Sequence, residues 1–181
     1  MFGAMTTNNS VGGQHLRFYS TKPQLTHINE KGEARMVDIS SKEITKRRAS
    51  AEGFIRFSTT LAISQITENT NKKGDVLSIA RISGISAIKK TPDLIILCHP
   101  LPLTKAEISV EILSDTEMRV LSTAHCQGKT GVEMEALVGC TTALLNIYDM
   151  CKAVDKHMVI HGVRVLSKAG GKSDFDVAQD S

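Results

Sequence analysis

Asp149 and Lys152 have the spacing that points most directly to acid–base chemistry. They are three positions apart near the end of a long predicted helix, so their side chains share one face. An exposed pair of this kind is usually a surface ion pair worth well under about 1 kcal/mol. A buried aspartate would instead hold the lysine charged or ready for proton transfer. The sequence alone leaves both interpretations open.

Two further side chains are candidates for binding a ligand. Lys73 stands before Gly74 and a predicted helix, whose N-terminus favours a phosphate group. The simpler alternative is a solvated loop lysine. His99 lies between an apolar segment and Pro100. A histidine in such a rigid setting is either a core residue or a hydrogen-bonding group in a pocket.

Glu133, Met134 and Glu135 open the long predicted helix. Carboxylates are favourable there because of the helix dipole, so a helix-end role is the default for Glu133. Carboxylates also accept the paired N–H donors of a guanine-like ring, which is the second interpretation. The two glutamates point about 200° apart on an ideal helix, so we expect them to have different partners.

Two segments resemble the end of a phosphate-binding P-loop, residues 128–130 (Gly-Lys-Thr) and 171–173 (Gly-Lys-Ser). A P-loop also needs a glycine five positions before its second glycine, so that backbone N–H groups surround the phosphates. Thr123 and Leu166 occupy those positions. Neither segment is therefore a P-loop.

The composition narrows the class of protein. The 181 residues include 41% hydrophobic and 23% charged side chains, which is typical of one globular domain. A net charge of +3 and 4% aromatic residues make a nucleic-acid module built on Lys46-Arg47-Arg48 a weak alternative. No apolar run reaches the length of a membrane span. Single cysteines without close pairs predict no metal site, and reduced core thiols instead: Cys98, Cys126, Cys140 and Cys151.

The first residues differ from the rest. The segment 1–29 has no acidic residue and contains the run Arg17-Phe18-Tyr19-Ser20. This pattern is typical of a mitochondrial presequence, which predicts the mitochondrial matrix. The alternatives are a disordered tail of a cytoplasmic protein or a piece of a longer polypeptide. We expect a leader at 1–23, one domain at 24–175 and a tail at 176–181.

Hydrophobic periodicity predicts an α+β fold, with helices packed on one face of a mainly antiparallel sheet. Ser58 is predicted to N-cap the first helix. Pro100 and Pro102 exclude a central strand at 94–103. The predicted strands are 36–39, 48–57, 108–112, 118–126 and 159–166, and the predicted helices are 58–69, 75–90 and 132–154.

A series of short motifs covers residues 25–175. In their order along the chain, the motifs resemble the cyclic pyranopterin monophosphate synthase family (the MoaC family) of molybdenum-cofactor biosynthesis. The two longest motifs have an unusual composition, so chance does not explain their agreement with the family. The motifs are Leu25-Thr26-His27-Ile28, Met36-Val37-Asp38, Lys73-Gly74-Asp75-Val76, Leu97-Cys98-His99-Pro100-Leu101, Lys129-Thr130-Gly131-Val132-Glu133-Met134-Glu135-Ala136-Leu137, Tyr148-Asp149-Met150-Cys151-Lys152-Ala153-Val154 and Lys168-Ala169-Gly170-Gly171-Lys172-Ser173.

The resemblance implies a ferredoxin-like subunit in a hexamer, a trimer of dimers, with active sites at subunit interfaces. It implies a lyase that converts 3′,8-cyclo-7,8-dihydroguanosine 5′-triphosphate to cyclic pyranopterin monophosphate and releases pyrophosphate. No cofactor, metal, nucleic acid or membrane partner is expected. Asp174 departs from the family pattern, which has a glycine after Ser173.

The resemblance also implies roles for residues. Asp149 and Lys152 would form the acid–base pair, with Lys73 as a second catalytic lysine. A lysine flanked by cations can have a lowered pKa and act as a base near neutral pH. The alternative is a nucleotide-binding or scaffold subunit without catalysis, which would not need these three side chains together. The substrate-binding residues would be Leu97, Cys98, His99, Glu133, Met134 and Glu135 at the purine end, and Lys42, Arg47, Lys168 and Lys172 at the triphosphate.

Overall fold

One antiparallel sheet with helices on one face forms the part of the chain that the computed structural model describes, residues 27–28 and 31–177. The predicted leader at 1–23 lies outside these residues. The described strands are Thr45–Arg56 (β1), Leu103–Ile112 (β2), Glu117–Gly128 (β3), Val159–Ala169 (β4) and Phe175–Asp176 (β5), and the described helices are Leu61–Thr67 (α1), Val76–Lys89 (α2), Thr91–Leu94 (α3) and Glu133–Cys151 (α4).

The strand order in the sheet is β2-β3-β1-β4-β5, and every neighbouring pair is antiparallel. The chain passes from β1 through three helices to β2, and from β3 through α4 to β4. This is the β-α-β-β-α-β topology of ferredoxin-like folds, extended by the short β5. The predicted α+β class is confirmed.

The core lies between the sheet and the helices α2 and α4. Successive residues of β3 alternate between buried and partly exposed, as expected for a strand with one face on a core. Leu144 and Ile147 of α4 are fully buried against this face. The two helices approach closely at glycines, since a Cβ on Gly84 would lie 3.0 Å from the main-chain oxygen of Gly139. This close approach sets where the two ends of α4 lie.

Most predicted elements are present with shifted ends. The N-terminus of α2 follows the sequence signal, because Asp75 at the N-cap accepts a hydrogen bond from the N–H of Ser78 at 3.0 Å. As predicted, 94–103 holds no central strand, and β2 begins directly after Pro102. The short β5 was not predicted, because two residues carry no periodicity.

The prediction of a strand at 36–39 is wrong. Residues 36–42, which we call the strap, form an irregular segment. The Oδ1 of Asp38 accepts a hydrogen bond from the N–H of Ser40 at 2.8 Å. The Nζ of Lys129 donates to the main-chain oxygen of Ser40 at 2.6 Å. These contacts hold the strap in place without a neighbouring strand.

The prediction that Ser58 caps the first helix is also wrong. The helix begins at Leu61, and Thr60 at its N-cap makes no side-chain cap bond. The N–H and hydroxyl of Ser58 donate instead to the carboxylate of Asp155, at 2.6 and 2.7 Å. This contact joins the end of β1 to the loop after α4, a long-range partner that local patterns do not reveal.

Candidate active site

Two adjoining cavities lie at the end of the sheet where α4 begins. The first, which we call the cationic cavity, has a volume of about 170 Å³ and is lined by six cationic side chains and one carboxylate. This positive charge suits the phosphate groups of a small ligand, because charge-assisted hydrogen bonds to phosphate are strong. The charged lining residues are Lys42, Arg47, Arg48, Lys129, Lys168, Lys172 and Glu133.

Separate elements supply these side chains. Arg47 extends from β1, and its Nε donates to the main-chain oxygen of Gly128 at the end of β3 at 3.3 Å. Lys168 extends from β4, and its Nζ lies 3.2 Å from Oε1 of Glu133. Glu133 lies in the first turn of α4, where its charge also favours the helix dipole. In the free protein Glu133 therefore balances part of the positive charge of the cavity.

The loop after β4 forms one rim of the cationic cavity. Gly170 has φ +86°, and a Cβ there would collide with the main-chain oxygen of Lys46, so this position requires glycine. The Oδ1 of Asp174 accepts hydrogen bonds from the N–H groups of Gly170 (2.9 Å) and Gly171 (3.3 Å). The residue that departs from the family pattern thus holds the loop in place.

The second cavity has a volume of about 400 Å³ and a more apolar wall. The segment before β2, the start of α4 and the strap each contribute to it. Several residues line both cavities, among them Lys42 and Glu133, so the two are contiguous. The residues that line only the second cavity are His27, Val37, Ile39, Leu97, Cys98, His99, Leu101, Met134 and Glu135.

Glu135 is a buried acceptor in the second cavity. The residue is 2% exposed, and its Oε2 has no hydrogen-bond partner among the described residues. Burial raises the pKa of Glu135, and the nearby charge of Glu133 adds to this effect. A buried acceptor without a partner is costly unless a ligand donates to it. Glu135 is therefore suited to the N–H groups of a bound ring.

Cys98 lies beside this carboxylate. Burial raises the pKa of the Cys98 thiol, and the charge of Glu135 raises it further. The group therefore stays a neutral thiol near neutral pH, which suits packing against a ligand and not nucleophilic attack.

Asp149, Lys73 and Lys152 form a second cluster, which we call the acid–base trio. The carboxylate of Asp149 accepts from Lys152 through Oδ1 at 2.6 Å and from Lys73 through Oδ2 at 2.9 Å. The bond from Lys152, then that from Lys73, lowers the pKa of Asp149 to about 2. The bond to Asp149 in turn raises the pKa of Lys152. The charged form of Lys152 is therefore favoured in the free chain, whereas a catalytic base would need a lowered pKa.

The trio and the two cavities lie apart in one chain. Glu133 and Asp149 occupy opposite ends of α4, about 24 Å apart at a rise of about 1.5 Å per residue. The side chain of Asp149 is 54% exposed, so the trio faces solvent. Every residue that the sequence assigns to substrate binding lines one of the cavities, whereas the three assigned to catalysis line neither.

Sequence reasoning missed several lining residues. Arg48 and Lys129 line the cationic cavity, and so does Thr130. Lys129 and Thr130 do not complete a P-loop, yet they directly precede the N-terminus of α4. A cation shortly before the N-terminus of a long helix is typical of a phosphate-binding site, and this pattern could have identified both residues from the sequence.

The described residues contain no group of three or more His, Cys, Asp and Glu side chains placed to hold a metal ion. Within the same residues, every helix is too short or too polar to cross a membrane.

The fold and the paired cavities define a class, that of ferredoxin-like α+β proteins with a site for a phosphorylated ring compound. Residues 36–171 match the model of the MoaC family, and the chain belongs to that family. Membership assigns the protein a role in molybdenum cofactor biosynthesis, with a small-molecule nucleotide as substrate.

Proposed function

We propose that the protein is a lyase that converts 3′,8-cyclo-7,8-dihydroguanosine 5′-triphosphate to cyclic pyranopterin monophosphate and releases pyrophosphate. The observation that carries the proposal is that two cavities are contiguous: one is cationic, and the other contains Glu135, whose buried Oε2 has no partner among the described residues. A ligand with a triphosphate at one end and a guanine-derived ring at the other matches both. Family membership supports the same reaction.

The cationic cavity would bind the triphosphate. In the closing step a substrate hydroxyl attacks the α-phosphorus, and the bond to the bridging oxygen of pyrophosphate breaks. Negative charge grows on the leaving pyrophosphate, and fixed cations such as Arg47 and Lys168 stabilise it. The ligand would also replace Glu133 as the partner of Lys168.

The second cavity would bind the ring. Glu135 lines this cavity with an acceptor atom that has no partner among the described residues, and Met134 contributes apolar surface beside it. A hydrogen bond from a ligand to a carboxylate that is already desolvated in the free protein contributes more to the binding free energy, because binding does not have to remove water from the carboxylate. Ring recognition by Glu135 would therefore be specific for N–H donors.

The acid–base trio would move protons while the ring opens and recloses, a kind of catalysis that typically contributes about 10²- to 10⁴-fold for each group. Asp149 lies about 24 Å along α4 from Glu133, which lines both cavities, and this is too far for proton transfer within one chain. We therefore propose that a second copy of the chain brings its trio to these cavities. A hexamer with interfacial active sites satisfies this requirement.

The direct test is pyrophosphate release from the cyclised GTP by purified variants. We expect Asp149→Asn and Lys73→Ala to lose product formation while circular dichroism shows an intact fold. Asp115→Asn, in the turn between β2 and β3, is the matched control and keeps activity. Normal turnover in either trio variant would reject the catalytic assignment.

Subunit mixing tests whether the site is shared. Asp149→Asn chains keep the cavities, and Lys168→Met chains keep the trio. If one chain supplies the cavities and another the trio, mixed assemblies of the two inactive variants regain about a quarter of wild-type activity by random pairing. No recovery in verified mixed assemblies would show that each chain works alone.

A second candidate is a nucleotide-binding subunit without catalysis. The separation of the trio from the cavities within one chain is the observation that favours it. This candidate predicts that the cyclised GTP binds to the wild-type protein without pyrophosphate release. The same assay, paired with calorimetric binding, distinguishes the two.

A further inference from the structure

A row of basic side chains crosses three strands near the cationic cavity. In the sheet register, Arg48 of β1 pairs with His125 of β3, and His125 pairs with Lys105 of β2. Directly paired residues point to the same face of a sheet, so the three side chains stand side by side. Two positions before Arg48, Lys46 pairs with Gln127 on the same face.

Positive charge is crowded along this row, because Arg48 and Lys105 flank His125 on either side. Burial lowers the pKa of His125, and the charges of Lys105 and Arg48 lower it further. Among the described residues, Glu107 pairs with Lys105 at 2.5 Å, but no carboxylate forms an ion pair with Lys46 or Arg48. An anion from outside the chain would relieve the excess positive charge.

Two residues of the row, Lys46 and His125, line a third cavity of about 260 Å³, which we call the outer cavity. Residues 46–48 of β1 separate it from the cationic cavity, since Arg47 lines both and Arg48 lines the cationic one. The wall of the outer cavity is less apolar than that of the second cavity. Its lining residues are Lys46, Arg47, Thr104, His125, Cys126 and Gln127.

We infer that the outer cavity is a second oxyanion site, which takes inorganic pyrophosphate as this product leaves the cationic cavity across residues 46–48. The identity of the anion rests on the proposed lyase function. Pyrophosphate is small and multiply charged, which suits a small cavity lined by Lys46 and Arg47. Arginine and lysine bind such oxygens through charge-assisted hydrogen bonds.

The test is an NMR titration of the His125 ring in the full-length protein with sodium pyrophosphate. A bound anion favours the imidazolium, so saturation raises the pKa of His125. The double variant Lys46→Gln/Lys105→Gln weakens this response by about tenfold or more. The control Lys89→Gln/Lys156→Gln removes the same charge elsewhere and leaves it unchanged. The response also persists in Lys168→Met, which damages only the cationic cavity.

Three results would overturn the inference. The first is an unchanged His125 pKa at saturating pyrophosphate, and the second is an equal affinity for pyrophosphate in the double variant and its control. The third is a His125 response that disappears in Lys168→Met. A response to a single-stranded oligonucleotide but not to pyrophosphate would also overturn it, since the row would then be a nucleic-acid surface. The titration needs no turnover, so loss of the proposed lyase activity and loss of the outer site are observed separately.

Discussion

Lys73 and Asp149 are 76 positions apart in the chain and are joined by two hydrogen bonds. The Nζ of Lys73 donates to Oδ2 of Asp149 at 2.9 Å and to its main-chain oxygen at 2.8 Å. The main-chain bond satisfies a carbonyl in the last turn of α4, which has no partner within the helix. Lys73 is thus held against the helix itself, and the carboxylate remains available to Lys152.

Asp149 makes a contribution to stability that depends on pH. Its pKa is about 2 in the folded protein and 3.8 ordinarily. A carboxyl group with a lowered folded-state pKa contributes stability that is fully present above the ordinary value and is lost as the pH falls through the folded value. We expect wild type to have a higher urea midpoint than Asp149→Asn near neutral pH. The difference should shrink as the pH falls from 3.8 towards 2.

The control for this measurement is Asp115→Asn, which removes one charge from an exposed turn. The difference in urea midpoint between Asp115→Asn and wild type should not shrink over the same pH interval. A difference for Asp149→Asn that stays constant down to the lowest accessible pH contradicts the role of the two lysines.

Glu135→Gln should stabilise the free protein and weaken substrate binding. Because burial raises the pKa of Glu135, ionisation costs the folded state stability, and the cost grows as the pH rises above the ordinary value of 4.5. We expect a higher urea midpoint for the variant near neutral pH and a smaller difference in acid. Loss of the carboxylate should weaken binding of the cyclised GTP by about ten- to a hundredfold, measured by calorimetry. The exposed Glu68→Gln should change neither quantity.

Asp155 stabilises the fold through three hydrogen bonds. The residue is 4% exposed and accepts from the N–H and hydroxyl of Ser58 and from the N–H of His157. Asp155→Ala leaves these donors unpaired, which we expect to lower the free energy of unfolding by about 3 kcal/mol in urea titrations. Asp155→Asn keeps an acceptor and should lose less. Equal losses in the two variants would mean that packing, not hydrogen bonding, is the cause.

Gly139 is required by the approach of α4 to its neighbours. A Cβ at this position would lie 2.5 Å from Cγ1 of Ile88 and 2.8 Å from Oγ of Ser122. We expect Gly139→Val to lower the free energy of unfolding by about 2 kcal/mol, because the core has no room for the added atoms. Thr141→Val on the same helix keeps its volume and should change stability little. A neutral Gly139→Val would show that the two helices can move apart without cost.

Local sequence patterns predicted most of the helices and strands, because the interactions that form these elements involve residues close together in the chain. The alternation in β3 and the start of α2 near Asp75 are visible in the sequence and present in the structure. The strap and Ser58 were assigned wrongly for a common reason. Their partners, Lys129 and Asp155, lie 89 and 97 positions away, and local periodicity carries no information at that distance.

The amino-acid sequence by itself determined the α+β class and the order of the elements, and through family resemblance it predicted which side chains act together. Only the tertiary structure decided where those side chains meet. Sheet register and the loop after β4 bring cations from distant segments into one cavity. Helix α4 keeps the trio away from the cavities, because Asp149 and Glu133 lie at its opposite ends. A helix of this length fixes the distance between its ends, whatever the roles of the residues there.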